Sequence, residues 1–243
     1  MKIYLLLPWV LAWALADRGQ AYEMEDVTRI DFEVRDPGNR EVFFKGTEKI
    51  SQEAASTRKE TWYYDLNKTE VQYENVLYNN RSLRVESYRF KNPLTGEETD
   101  VVTQGDTMKI KYRPEFKQAY KEGTLPWPKD GYHGKVFNNL ILRHWTSLLQ
   151  GKPISFDLVL PYRFESLGFE IVSKKTTKVD GEDREVLALQ PTSFIIRAIA
   201  PRMEFHYTKG DKPRIRQFSG PCTIPIQGKK DRMVDIIFSY PQQ

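Results

Sequence analysis

Met108-Lys109-Ile110-Lys111-Tyr112-Arg113 is the stretch that decides the fold. Met108, Ile110 and Tyr112 fall on one face of an extended chain, and Lys109, Lys111 and Arg113 fall on the other. Such strict alternation marks an antiparallel strand with one dry side and one wet side. The same period of two recurs outward in both directions. Towards the N-terminus, Ile30, Phe32 and Val34 alternate with charged residues before the turn at Pro37-Gly38-Asn39, and a second run begins at Glu41. Thr61-Trp62-Tyr63-Tyr64 is aromatic and β-favouring, and Leu66-Asn67-Lys68 closes it. Arg84 to Phe90 reads as a strand, and Asn92 to Gly96 turns into the next.

Beyond this strand the pattern changes twice. Pro114 to Gly134, with Leu125-Pro126-Trp127-Pro128 inside it, reads as a crossing loop without regular structure. From Lys135 to Gln150 the apolar residues Val136, Phe137, Leu140, Ile141, Trp145, Leu148 and Leu149 recur at helical spacing, with His144 on the same stripe. Gly151 and Pro153 are placed to end this helix. At roughly 1.5 Å per residue it would be about 24 Å long, enough to cross a sheet face. Strands then resume at Ile154–Leu160, Phe169–Val179, Arg184–Gln190, Met203–Tyr207, Ile215–Phe218 and Val234–Tyr240. Asp180-Gly181 is a hairpin signal between two of them. The expected fold is mainly β (α+β): a curved antiparallel sheet or half-barrel wrapped around one long helix at about 135–150.

The N-terminus reads as an address. Lys2 precedes an apolar run from Ile3 to Leu15 that is too short to span a bilayer, and A-x-A sites end at Ala16 and Ala21. Residues 1–21 are expected to be a secretory signal peptide, followed by a single β-rich domain at 22–243 with no transmembrane segment. The chain has one cysteine, Cys222, so no internal disulfide can form and the core must supply the stability. An exported chain of this size without disulfides points to the bacterial periplasm, with secretion as the alternative. A net charge of +4 among 29% charged residues is not the footprint of a nucleic-acid binder.

The second half carries a resemblance. LLQGKPISFDLVLPYRFESLGFEI and LALQPTSFIIRAIAPRMEFHYTKGDKPRIRQFSGP keep an order of landmarks: Trp145, Leu149, Gly151, Pro161, Arg163, Phe169, Pro191, Ser193, Arg197, Pro201 and Gly220. Over about residues 135–240 this resembles an uncharacterised family of exported, periplasmic bacterial proteins. It is also similar, at the level of fold, to envelope lipoprotein carriers that form half-barrels. The resemblance implies a curved sheet around a helix and no activity, because fold does not determine function.

Chemistry-bearing constellations are sparse. His133, His144 and His206 have no metal-ligand spacing, and no nucleophile elbow, phosphate loop or H-E-x-x-H helix occurs. The sequence therefore predicts no catalytic residue, no metal and no cofactor. Glu204, His206 and Cys222 are the residues an enzyme would have to use. Arg163 and Arg197 are charges set among apolar neighbours; they either close ion pairs or bind an anionic group. With Trp127, Trp145, Phe169 and Phe194 they are the candidate ligand-binding residues. The expected function is non-enzymatic: a binding or structural module of the envelope, with a lipid-like or other envelope component as ligand or partner. The alternatives are a hydrolase or transferase acting on envelope polymers, and an interaction module of an envelope complex.

Overall fold

The computed structural model describes residues 27–241, apart from 175, 180, 227 and 229–231; the expected signal peptide lies outside the described residues. In chain order the strands are β1 (Arg29–Arg35), β2 (Val42–Glu53), β3 (Ser56–Tyr64), β4 (Glu70–Asn79), β5 (Val85–Asn92), β6 (Glu97–Gln104), β7 (Thr107–Arg113), β8 (Lys121–Pro126) and β9 (Gly131–Tyr132). A 3-10 turn at Gly134–Val136 leads into helices α1 (Phe137–Arg143) and α2 (Trp145–Leu149). Then follow β10 (Ile154–Leu160), β11 (Glu165–Ser173), β12 (Thr177–Val179), β13 (Glu182–Pro191), helix α3 (Phe194–Ile199), β14 (Met203–Thr208), β15 (Ile215–Pro221) and β16 (Met233–Ser239).

All strands belong to one sheet, ordered β8-β7-β6-β5-β4-β3-β2-β1-β16-β15-β14-β13-β11-β10-β9, with β12 pairing β13 off this path. The pairing is antiparallel except between β9 and β10. The first and last strands are neighbours: Phe32 faces Phe238 and Val34 faces Ile236. The sheet is open and curved, and its two ends are held near each other by side chains. Val101 of β6 and Met108 and Ile110 of β7 bury themselves in one cluster with Val159 of β10. The Phe164 ring lies where a Cβ on Gly123 of β8 would stand, so glycine admits the close approach across this seam.

The expected strands are present, and three readings need correction. The helix is not one long element. His144 (φ −109°, ψ 19°) breaks it between α1 and α2, and its N–H is shared between the carbonyls of Leu140 and Ile141. The insert is more deeply set than a helix laid on a flat face: Leu140, Ile141 and Leu142 of α1 are all buried, and its half-buried positions are Asn138, Asn139 and Arg143. The break sets α2 against β11 and brings Trp145 to 5.2 Å from the Tyr207 ring. Secondly, the crossing loop contains β8, an edge strand where Pro126 costs no ladder bond, and the short β9. Thirdly, the run Phe169–Val179 is divided into β11 and β12.

The sequence reading also passed over β4. Its inward residues are Gln72, Glu74, Val76 and Tyr78, a mixture that hides the alternation. Among the described residues, no helix is long and apolar enough to cross a membrane.

Two kinds of interior result. Around α1 and α2, Val76, Tyr78, Val85, Phe156, Phe169, Ile171, Leu187, Leu189, Phe205 and Tyr207 form a continuous apolar core. Between the start of the helical insert and β2–β4 the interior is instead ionic. The Lys135 ammonium donates to Thr61 Oγ1 at 2.9 Å and lies 3.6 Å from Glu48 and 3.7 Å from Glu74. Lys59 donates to Asn139 at 2.8 Å, Thr61 to Glu48 at 3.0 Å, Gln72 to Glu74 at 2.9 Å and Tyr88 to Glu74 at 3.1 Å. Burial pulls the Lys135 pKa down, but Glu74 and Glu48 outweigh it and hold it above its ordinary value. Burial pushes Glu48 up, and Lys135 and Lys59 outweigh that, leaving it lowered. Next to them His133, under the Tyr88 ring at 4.3 Å, is pushed down to about 3 by burial and by the Lys135 charge. It stays neutral, and its Nδ1 accepts from the Lys135 backbone N–H.

Candidate functional site

On the outer face of the sheet, the chain between β13 and β14 does not make a tight turn. Pro191 ends β13, and Thr192-Ser193 leads into α3, which stops at Ala200-Pro201 because proline cannot continue a helix. The Arg197 side chain ties α3 to the sheet. Its Nε donates to the Pro191 carbonyl at 2.9 Å, and its Nη2 donates to Glu170 at 2.9 Å and to the Thr192 carbonyl at 3.4 Å. Gln190 donates to the same Glu170 oxygen at 2.8 Å.

Beneath α3 lies a groove of about 780 Å³. Its floor is the outward face of β13 and β14: Val186, Ala188, Glu204 and His206. One wall is the β11–β12 connection at Lys174 and Thr177; the other is Arg197, Ala200, Pro201 and Arg202. The floor sets Val186 and Ala188 beside Glu204 and His206, and the walls carry three cations, Lys174, Arg197 and Arg202. Arg197 is taken up by Glu170, whereas among the described residues Lys174 and Arg202 make no ion pair. Such a trough suits an apolar tail with an anionic end.

His206 lines the floor. Its Nε2 is 3.9 Å from Glu204, and its buried Nδ1 has no hydrogen-bond partner among the described residues. Burial lowers its pKa first of all, Glu204 opposing and Arg184 adding to the effect. A neutral imidazole with an unfilled nitrogen is a polar group that a ligand could satisfy.

The six candidate ligand-binding residues do not converge. Arg197 and Phe194 belong to α3, though only Arg197 lines the groove. Arg163 is half exposed and pairs with Glu165. Trp145 and Phe169 are buried in the apolar core around the helices. Trp127 borders a separate hollow of about 440 Å³ between β9 and the turn after β6. There Arg84 stacks 5.4 Å from its ring and bonds Asp106 at 2.8 Å, so that cation is already engaged. The enzyme set is divided by the sheet. Glu204 and His206 face outwards, while Cys222 is buried in an interior cluster with Phe32, Val34, Phe44 and Val234.

Sequence reasoning missed the groove residues Lys174, Ala188 and Arg202. Only the run from Thr192 to Arg202, eleven positions without an acid and with two arginines, marked the place. It missed the ionic interior as well, because Lys59 and Thr61 alternate with Arg58 and Glu60 and give no polar contrast between faces.

No family model matches the chain. No curated protein matches it. Among solved structures, it is similar to a β-barrel-like protein of the domain of unknown function DUF1849 from Brucella abortus. The two are 9% identical, with 89% of this chain and 96% of that one covered and a TM-score of 0.48.

Proposed function

We propose that this chain is an exported envelope protein, periplasmic in location, that binds an amphipathic ligand without transforming it. The ligand has an apolar tail and an anionic head, and it lies in the groove under α3 rather than inside the sheet. The observation that carries the reading is the groove itself: Val186, Ala188, Ala200 and Pro201 offer apolar surface, and Lys174 and Arg202, which make no ion pair among the described residues, stand at its rim. The half-barrel analogy would have put a ligand in the interior, where Leu140, Ile141 and Leu148 of the helical insert occupy the core. The separation of Cys222 from Glu204 and His206 supports binding over acid–base or nucleophilic chemistry.

Dodecyl phosphate below its micellar concentration is a suitable probe. Calorimetric titration is expected to give one site per chain. Ala188→Trp, which fills the floor, and Arg202→Glu, which reverses a rim charge, should each weaken binding about tenfold or more. Native mass spectrometry of the protein purified from its own envelope should show a bound amphiphile. A protein that is empty there and indifferent to the probe would overturn the reading.

A further inference from the structure

Large apolar side chains are exposed elsewhere too, but on separate elements: Leu66 in a turn, Val102 in β6, Leu149 in α2 and Met233 in β16, while Phe116 and Tyr120 lie against the Arg113 guanidinium. In α3 they are gathered. Phe194 is 83% exposed, Ile195 77% and Ile199 82%, with Ile196 beside them at 39%, and no residue of the helix is buried. Such a cluster on one turn and a half of helix is unfavourable in water unless something covers it. Nor is the cluster loosely attached, since the three Arg197 hydrogen bonds hold the helix on Glu170 and on the carbonyls of Pro191 and Thr192. The side chains are presented in a set geometry.

We infer that α3 docks the protein on an anionic lipid bilayer, with Phe194, Ile195 and Ile199 inserted among the acyl chains and Arg202 and Lys174 at the headgroups. Three features of the molecule select this occupant. At about 1.5 Å per residue the helix is about 9 Å long, far short of a span, so its contact is confined to the interface. The segment 192–202 contains no acid, so its charge complements anionic headgroups. A second copy of the chain fits less well. Four apolar side chains fall well below the roughly 20–30 residues a side of a stable interface. The inference goes beyond the groove reading and is carried by the exposed apolar side chains of α3, sharing only the rim cations Lys174 and Arg202 with the groove.

Vesicle co-sedimentation of the full chain tests it. Binding is expected to vesicles of equal parts phosphatidylglycerol and phosphatidylcholine, to be weaker on phosphatidylcholine alone, and to fall as salt rises from about 0.05 M to about 0.5 M. The double variant Ile195→Asp/Ile199→Asp should lose about tenfold or more in vesicle affinity. It carries the same first 21 residues, so the difference belongs to α3. Should that variant fail to fold by circular dichroism, Arg202→Glu keeps the apolar tip intact. It is expected to lower binding to the anionic vesicles several-fold and to leave binding to phosphatidylcholine unchanged. Equal sedimentation of parent and variant would overturn the inference. So would a concentration-dependent dimer, seen without lipid by sedimentation velocity and abolished by the double variant. Ala188→Trp separates the two readings: it should abolish dodecyl phosphate binding and leave vesicle binding intact. Binding of the probe without vesicle binding removes the docking inference alone, and the reverse result removes the groove reading alone.

Discussion

Between β2, β3, β4 and the start of the helical insert, Lys59, Lys135, Glu48 and Glu74 lie inside the sheet; outside it, Phe194, Ile195 and Ile199 stand in solvent. Each region departs from the ordinary partition of residues, and they differ in whether the departure is compensated. In the interior every one of the four charges has an oppositely charged or hydrogen-bonding neighbour, and the two signs balance. The desolvation cost of burying them is offset locally, and the cluster links β2, β3, β4 and α1. On α3 nothing among the described residues covers the apolar side chains. A compensated anomaly explains itself as architecture, and an uncompensated one points outside the molecule.

The comparison can be broken most forcefully from the interior. Lys135→Met leaves Glu48 and Glu74 with only Lys59 to balance them, and about 3–5 kcal/mol of stability should be lost. Urea denaturation measures it, and a loss below about 1 kcal/mol would mean that the cluster is not the compensated unit described above. Acid gives the next largest effect. His133 is pushed from 6.5 down to about 3 in the folded chain, so between those values the unfolded chain binds a proton that the folded chain refuses. Stability from this group is therefore complete above pH 6.5 and falls as pH drops towards 3, by an amount on the order of a few kcal/mol. His133→Gln should flatten that limb of the stability–pH curve. Glu48, lowered in the folded state, acts in the same direction below its unfolded value of 4.5. Lys135, raised in the folded state, contributes stability up to about its unfolded 10.5 and loses it as pH climbs through the folded value.

Smaller effects sharpen the outer region. Arg197→Ala removes the bonds that seat α3, and about 1 kcal/mol is expected because its side chain is more than one-third exposed. Hydrogen exchange should speed up at 194–199 while the strands keep their protection. Ile195→Asp/Ile199→Asp touches no packed surface, so its thermal midpoint should stay within about 0.5 kcal/mol of the parent in stability. A large loss there would show that α3 is part of the core after all.

Much of the β architecture was legible along the chain, and the reasons are visible in particular residues. Met108, Ile110 and Tyr112 alternate with Lys109, Lys111 and Arg113 because one side of that strand is dry and the other wet. β4 was not legible, because Gln72 and Glu74 occupy inward positions beside Lys135 and Thr61, and a polar interior erases the contrast on which the reading depends. The helix was legible as apolar spacing but not as two pieces, since the apolar stripe runs on past His144 and gives no sign of the break there. Of the candidate site residues, Arg197 and Phe194 could be picked out as a charge among apolar neighbours. Trp145 and Phe169 could not be told from ligand contacts, because a core aromatic and a pocket aromatic have the same local sequence.

By itself the sequence determined the period-two strands, the apolar spacing of residues 135–150, the lack of any disulfide and the export-like first 21 residues, all of them local properties of spacing and composition. Tertiary structure alone decided which faces meet. It curved the open sheet around the helical insert, paired Lys135 with Glu48 and Glu74 across separate strands, put Cys222 and His206 on opposite sides, and left the apolar side chains of α3 exposed among the described residues. Burial and charge pairing depend on distances between residues remote along the chain, and no local pattern carries those distances.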